Sequence, residues 1–259
     1  MKIARYEYNG EIGYGEIDGK NIYELEGDIF DDFKRAGDSY NIEEVKLLTP
    51  IEVPNIIAIG LNYRKHALES GIKLPERPII FLKSTTSVIG PNEEIILPDN
   101  AADEVDYEAE LAIVIGKKAK NVSVEDAEEY ILGYTCANDV SARDCQIRID
   151  KQWARAKSFD TFCPLGPWIE TKLDADNVSI SSTLNGKVMQ NSNTSDMIFN
   201  TKELVSYISS NMTLLPGTII MTGTPEGVGF ARKPPVFLQS GDEIVIEIEG
   251  LGSLRNFVR

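Results

Sequence analysis

Histidine is almost missing from this chain: one, His66, stands among 259 residues. That excludes a zinc site built on several histidines within one chain. It also places any imidazole chemistry near neutral pH on a single residue. Cysteine is scarce as well. Cys136, Cys145 and Cys163 are odd in number and share no CxxC spacing. They are expected as reduced thiols in the cytoplasm, not as a disulfide framework. Long apolar runs are absent, so no membrane-spanning helix is expected. The opening Met1-Lys2-Ile3-Ala4-Arg5-Tyr6-Glu7 lacks the apolar core of a secretory signal. Positive charge is in deficit, with a formal net charge of −15. Such a field repels nucleic acid and anionic lipid at long range, so neither is an expected partner. It repels an anionic substrate too, which would need a local cationic pocket or a metal.

What remains is an ordinary globular composition, 42% apolar and 26% charged. Its length suits a main domain with a small appendage. Residues 1–50 read as a small β-rich domain and 51–259 as the main one. Lys2–Tyr8 and Glu11–Gly15 flank Asn9-Gly10, a hairpin signature. A third strand is expected over Asn21–Leu25. Leu47-Leu48-Thr49-Pro50 then leads into the main domain. There, strands are expected over Ile56–Gly60, Pro78–Lys83, Tyr107–Ile115, Ile131–Val140 and Val178–Leu184. A terminal hairpin should join Glu243–Ile248 to Ser253–Val258. Helices are expected in four places. One is a short turn carrying His66, and one starts at Ser123 with Asp126 at the capping-box position. The others cover Ser141–Ile149 and Thr201–Ser209, the last capped by Thr201. Strands outnumber helices without regular βαβ alternation, which favours a β-rich α+β fold.

Carboxylates offer the first chemistry. Residues i and i+2 of a strand face one side, so Glu108 and Glu110 point together. Two readings fit: a solvated strand face, or two ligands of one cation. Asp139, ending a second apolar strand, adds a third oxygen donor. Three carboxylates without cysteine or further histidine suit Mg²⁺, Mn²⁺ or Ca²⁺ better than Zn²⁺. On a helix from residue 141, Arg143 and Gln146 share a face. They are either surface groups or a clamp for a substrate carboxylate. His66 and Glu69 are also three apart, close enough for the carboxylate to orient the ring as a base. A structural role for a lone histidine is the alternative. Lys157 is either a surface lysine or a group that stabilises an enolate. Thr222-Gly223-Thr224-Pro225-Glu226-Gly227-Val228-Gly229 is a bare turn or a loop whose backbone approaches a ligand. It is not a phosphate-binding P-loop, because no Gly-Lys-Ser/Thr follows.

Taken together these segments resemble the fumarylacetoacetate hydrolase family. The matching pieces run in order: Gly60-x-Asn62-Tyr63-x-x-His66-x-x-Glu69, Phe81-Leu82-Lys83, Asp106-Tyr107-Glu108-x-Glu110-Leu111, and Asn138-Asp139-Val140-Ser141-Ala142-Arg143-Asp144-x-Gln146. Lys157-Ser158-Phe159-Asp160, Asn185-Gly186 with Gln190, and Thr222-Gly223-Thr224-Pro225-x-Gly227-Val228-Gly229 complete the set. The resemblance covers roughly residues 50–259 and is closest to the compact acylpyruvase and 2-hydroxyhepta-2,4-diene-1,7-dioate isomerase branch.

That resemblance implies a mixed β-sandwich roll, assembled as a homodimer. It implies Mg²⁺ or Mn²⁺ (Ca²⁺ in a crystal) held by Glu108, Glu110 and Asp139. Catalysis would fall to His66, Glu69 and Lys157, and substrate contacts to Arg143, Gln146, Lys83 and Thr224. The segment from Ser70 to Arg77 is where such proteins carry a lid. The reaction expected first is metal-dependent hydrolysis of a carbon–carbon bond in an acylpyruvate or related small anionic 2-oxo acid, by way of a pyruvate enolate. The alternatives are isomerisation or tautomerisation of a 2-oxo diacid, decarboxylation of oxaloacetate, and dehydration of a sugar acid.

Overall fold

A computed structural model describes residues 1–101 and 103–259. Its main sheet runs, edge to edge, through Phe33–Asn41, Asn21–Gly27, Glu11–Asp18, Lys2–Tyr8, Cys163–Glu170, Ile131–Asn138, Ala109–Ile115, Ile219–Met221, Ile56–Gly60 and Ile79–Lys83. A second sheet orders Lys187–Asn193, Ser179–Leu184, Glu243–Ile248, Gly252–Val258 and Glu94–Ile95. Helices are few and short. The fold is the β-rich α+β roll that the strand pattern predicts.

Ala109–Ile115 is the central strand, buried on both faces. Leu111, Ile113 and Ile115 pack towards the second sheet, among Ile180, Ile246 and Leu254. Ala112 and Val114 face the other way, onto Ile56, Ala58, Ile219 and Met221. Two-residue periodicity therefore carries Glu110 onto the face of Ala112 and Val114. Antiparallel pairing sets Ala109 opposite Asn138, so Asp139 emerges beside Glu108 and Glu110. The Asp139 N–H donates to Glu108 O at 2.9 Å.

Several elements differ from expectation. The strand expected from Tyr107 begins at Ala109, because the Glu108 N–H donates to the Asn138 side chain instead of a ladder partner. The helix expected over Ser141–Ile149 opens as a strand, Ser141–Ala142, paired with Val105–Asp106. It continues as a π-helix, Asp144–Ile149. The segment from Ser123 forms only a 3₁₀ turn, Ala127–Tyr130. Asn200, not Thr201, caps the next helix, in a reciprocal capping box with Glu203. Lys2 and Ile3 join the N-terminal strands to the main sheet by pairing with Glu170 and Ile169.

One buried side chain locks the loop before His66. Asn62 Nδ2 donates to Thr222 O at 2.8 Å and Phe199 O at 3.0 Å, and its Oδ1 accepts the Phe199 N–H at 2.9 Å. Asn62→Ala would leave two carbonyls and one N–H unpaired in the interior. A loss of about 3 kcal/mol is expected, measured as a lower urea midpoint at unchanged slope.

Candidate active site

Glu108, Glu110 and Asp139 each bring a carboxylate oxygen within 4.8 Å of the others, and all three are buried. Asp106 lies alongside, also buried. Four interior carboxylates need cations close by, and three are supplied. Lys157 Nζ donates to Glu108 Oε2 at 2.8 Å and to Asp139 Oδ2. Lys83 Nζ donates to Asp139 Oδ1 and to Phe162 O at 2.9 Å. Arg143 Nε donates to Asp106 Oδ2 at 2.9 Å, and its Nη2 lies 2.7 Å from Glu108 Oε1. Arg143 Nη1 donates to Gln146 Oε1 at 2.9 Å, so the expected Arg143–Gln146 pairing is present on a π-helical turn.

The charges respond to this packing. Burial alone would raise the Glu108 carboxyl, but Lys157 and Arg143 outweigh it and hold Glu108 at about 2. Glu110 goes the other way. Burial, then the charges of Asp139 and Glu108, push it well above the usual carboxylate range. Lys157 is raised: burial opposes its charge, but Asp139 and Glu108 hold the proton. A proton on Glu110 thus closes the balance of four carboxylates against three cations. A divalent cation would close it instead, and leave one positive charge for an anionic ligand. The donor set, all carboxylate oxygen and short of one positive charge, fits a hard ion such as Mg²⁺ or Mn²⁺.

Above the cluster opens a cavity of about 550 Å³. His66, Glu108, Arg143, Gln146, Lys157 and Thr224 line it. His66 sits on the helix Arg64–Glu69, and its Nδ1 is 3.2 Å from Glu69 Oε2. Glu69 is fixed in turn by the Gly227 N–H, at 3.0 Å to Oε1. Lys83 is fully enclosed behind Asp139, off the cavity wall. Thr224 Oγ1 accepts from Gln190 Nε2 at 2.8 Å, which leaves its own hydroxyl hydrogen free.

Backbone constraints explain part of the motif. At Gly60 an added Cβ would meet Trp153 Cζ3 at 2.2 Å, so glycine lets that ring form the cavity wall. Gly223 has φ +97°, and a Cβ there would meet Asn62 Cβ at 2.8 Å. Its N–H donates to Glu110 Oε2 at 2.8 Å. The sequence marks Asp106 only as a motif letter. In the structure it accepts the N–H groups of Gly229 and Phe230 at 2.8 and 3.0 Å and anchors Arg143. No spacing signal distinguishes such an anchor. Trp153 and Phe81, in edge-to-face contact at 5.6 Å, were likewise invisible as a pair because their strand and helix lie far apart in sequence.

Comparison with known proteins follows the same lines. A family model described as fumarylacetoacetate (FAA) hydrolase C-terminal matches residues 55–259, and one described as Rv2993c-like, N-terminal, matches 1–50. The chain is 54% identical to a fumarylacetoacetate hydrolase domain-containing protein 2 homolog of Dictyostelium discoideum, over 84% of this chain and 75% of that protein. It is 49% identical to a mitochondrial oxaloacetate tautomerase of Rattus norvegicus, over 83% of this chain and 70% of that one. Among solved structures, a 5-carboxymethyl-2-hydroxymuconate delta-isomerase from Mycobacterium smegmatis superposes with a TM-score of 0.90 at 45% identity, covering 100% and 99% of the two chains. No helix among the described residues is long and apolar enough to cross a membrane.

The opposed shifts of Glu108 and Glu110 give a pH test. Glu110 is raised on folding, so its contribution is present in acid and lost as pH climbs towards its displaced value. Glu108 is lowered, so its contribution holds above the ordinary carboxylate range and is lost as pH falls towards about 2. With chelator at about pH 8, Glu110→Gln should therefore raise Tm over the parent chain by about 3 °C or more. Added Mg²⁺ should stabilise the parent increasingly with pH and the variant little. Scanning calorimetry across pH checks both.

Proposed function

The chain belongs to the fumarylacetoacetate hydrolase family, and from that premise we propose that it is a divalent-metal-dependent tautomerase or isomerase of 2-oxo diacids. The observation that carries this reading is the His66–Glu69 pair set on one cavity with the buried carboxylate cluster, Arg143 and Lys157. The names of the relatives, an oxaloacetate tautomerase and a muconate delta-isomerase, support it.

Glu108, Glu110 and Asp139 would hold Mg²⁺ or Mn²⁺, which would supply Lewis acidity to a 2-oxo acid. Arg143, with Gln146, and Lys157 present positive charge and N–H donors where enolate charge grows. Both cations lie against aromatic rings: Arg143 Cζ is 4.5 Å from the Phe230 centroid and Lys157 Nζ 5.3 Å from that of Phe81. These contacts fix their direction. The His66 Nδ1–H donates to Glu69, which leaves Nε2 with the lone pair. Nε2 takes the proton from the enol O–H as C=O forms and returns one to the carbon next to the former enol carbon as C=C is lost; in a double-bond shift it takes the proton from one end of the three-carbon unit and returns it at the other. Nothing else is gained or lost. The apolar wall of Ile59, Ile79, Phe81 and Trp153 keeps bulk water from that exchange.

A second reading adds water to the same machinery. His66, backed by Glu69, deprotonates a water that attacks the distal carbonyl of an acylpyruvate, releasing pyruvate and a free acid. A carboxylate-supported imidazole is the base that step needs.

Enol oxaloacetate and a panel of acylpyruvates, given to Mg²⁺-loaded and chelated protein, separate the two. The expected result is metal-dependent loss of the enol's ultraviolet absorbance with no cleavage products by NMR. His66→Ala should lower kcat by about 10²–10⁴-fold. Unchanged turnover in that variant removes His66 from the mechanism, since the chain has no second histidine. Pyruvate plus an equal amount of free acid from an acylpyruvate transfers the assignment to hydrolysis.

A further inference from the structure

Apart from His66, three basic side chains line the cavity: Arg143, Lys151 and Lys157. Two are committed. Arg143 is paired with Asp106 and Glu108, and Lys157 with Glu108 and Asp139. Lys151 has no carboxylate partner among the described residues, and it is exposed at the cavity wall. The adjacent carboxylate is taken elsewhere: Asp150 pairs with Arg155.

The backbone presents Lys151 with some insistence. Its φ is +55°, a left-handed conformation that any side chain disfavours. The Lys151 N–H is held by Cys145 O at 3.1 Å, directly after the π-helix Asp144–Ile149. Gln146, inside the π-helix, and Lys151, two residues beyond its end, line the same cavity. Strained backbone held in place beside a site is a feature that function, not packing, explains best. Ile147, Trp153, Phe81 and Ile79 line the same cavity. The cavity therefore combines two committed cations, apolar side chains and one uncommitted cation.

We propose that Lys151 binds the distal carboxylate of a dicarboxylic 2-oxo acid and is the residue that makes the site prefer a diacid to a monocarboxylate of similar length. The inference rests on the 2-oxo acid chemistry proposed above. The chain's charge of −15 opposes a second negative charge on the substrate. A dianion is disfavoured against a monoanion unless a cation meets it locally, and Lys151 is the uncommitted one. The apolar part of the lining suits the short carbon chain between the two carboxylates.

The test compares turnover of enol oxaloacetate with binding of acetylpyruvate, a monocarboxylate, read as inhibition of that turnover, on the Mg²⁺-loaded parent, Lys151→Gly and Lys151→Arg. Glycine suits the left-handed backbone, so loss of folding does not confound the first variant. Lys151→Gly should raise KM for oxaloacetate about fivefold to tenfold, with kcat and the acetylpyruvate inhibition constant within about twofold. Lys151→Arg should restore the oxaloacetate KM. The penalty should shrink as salt rises from about 50 to about 500 mM. Equal effects on both compounds, or an oxaloacetate KM unmoved by Lys151→Gly, overturn the role of Lys151 and leave the proposed reaction standing. A parent chain that neither binds nor converts either compound, by calorimetry and turnover, overturns the reaction itself and this inference with it.

Discussion

Carboxylates buried side by side cannot all stay ionised without positive charge next to them. Asp106, Glu108, Glu110 and Asp139 share one interior patch, and Lys83, Arg143 and Lys157 are buried there to meet them. Most of the site's architecture follows from that demand. Lys83 is fixed on the last position of its strand because Asp139 needs it. Arg143 is held rigid by Asp106 and is thereby aimed at Glu108. The single negative charge left over is what a proton on Glu110 or a bound cation would balance.

The scaffold divides the work. The carboxylates rest at the ends of the most deeply buried strands, where packing on both faces leaves little freedom. The His66–Glu69 pair rests on one short helix, tied down at its base by Asn62 and at its tip by the Gly227 N–H. Leu68, Ile72 and Leu74, in and after that helix, are exposed. The charged cluster is thus built into the core, and the imidazole–carboxylate pair into a surface element with fewer anchors. Elements of the second kind open at lower free-energy cost than the core.

Much of this was legible from residue order, for identifiable reasons. Two-residue periodicity puts Glu108 and Glu110 on one side whether or not the strand is regular at its start. Helical spacing brings His66 to Glu69 on one α-helix, and Arg143, just before the π-helix, still reaches Gln146 through its long side chain. The failures lay where tertiary pairing overrode local preference. Ser141 and Ala142 joined Val105 and Asp106 in a strand before the π-helix could start. Cys163–Glu170 is a strand despite Pro164 and Pro167, residues that in sequence argue against one. Phe33–Asn41 lacks apolar alternation and is a strand by pairing with Asn21–Gly27. The anchoring of Arg143 by Asp106 and the wall made by Trp153 and Phe81 depend on contacts between distant segments, which no local pattern encodes.

The scarcity of histidine has a consequence for observing this protein. An enzyme with many imidazoles hides the reactive one among bystanders. Here every imidazole resonance in a proton or nitrogen spectrum of the folded chain comes from the cavity wall. Its tautomer, its exchange with solvent and its response to each ligand can be followed without isotope editing by site or any assignment strategy. The chain carries its own spectroscopic reporter, placed on the cavity wall beside the buried carboxylates.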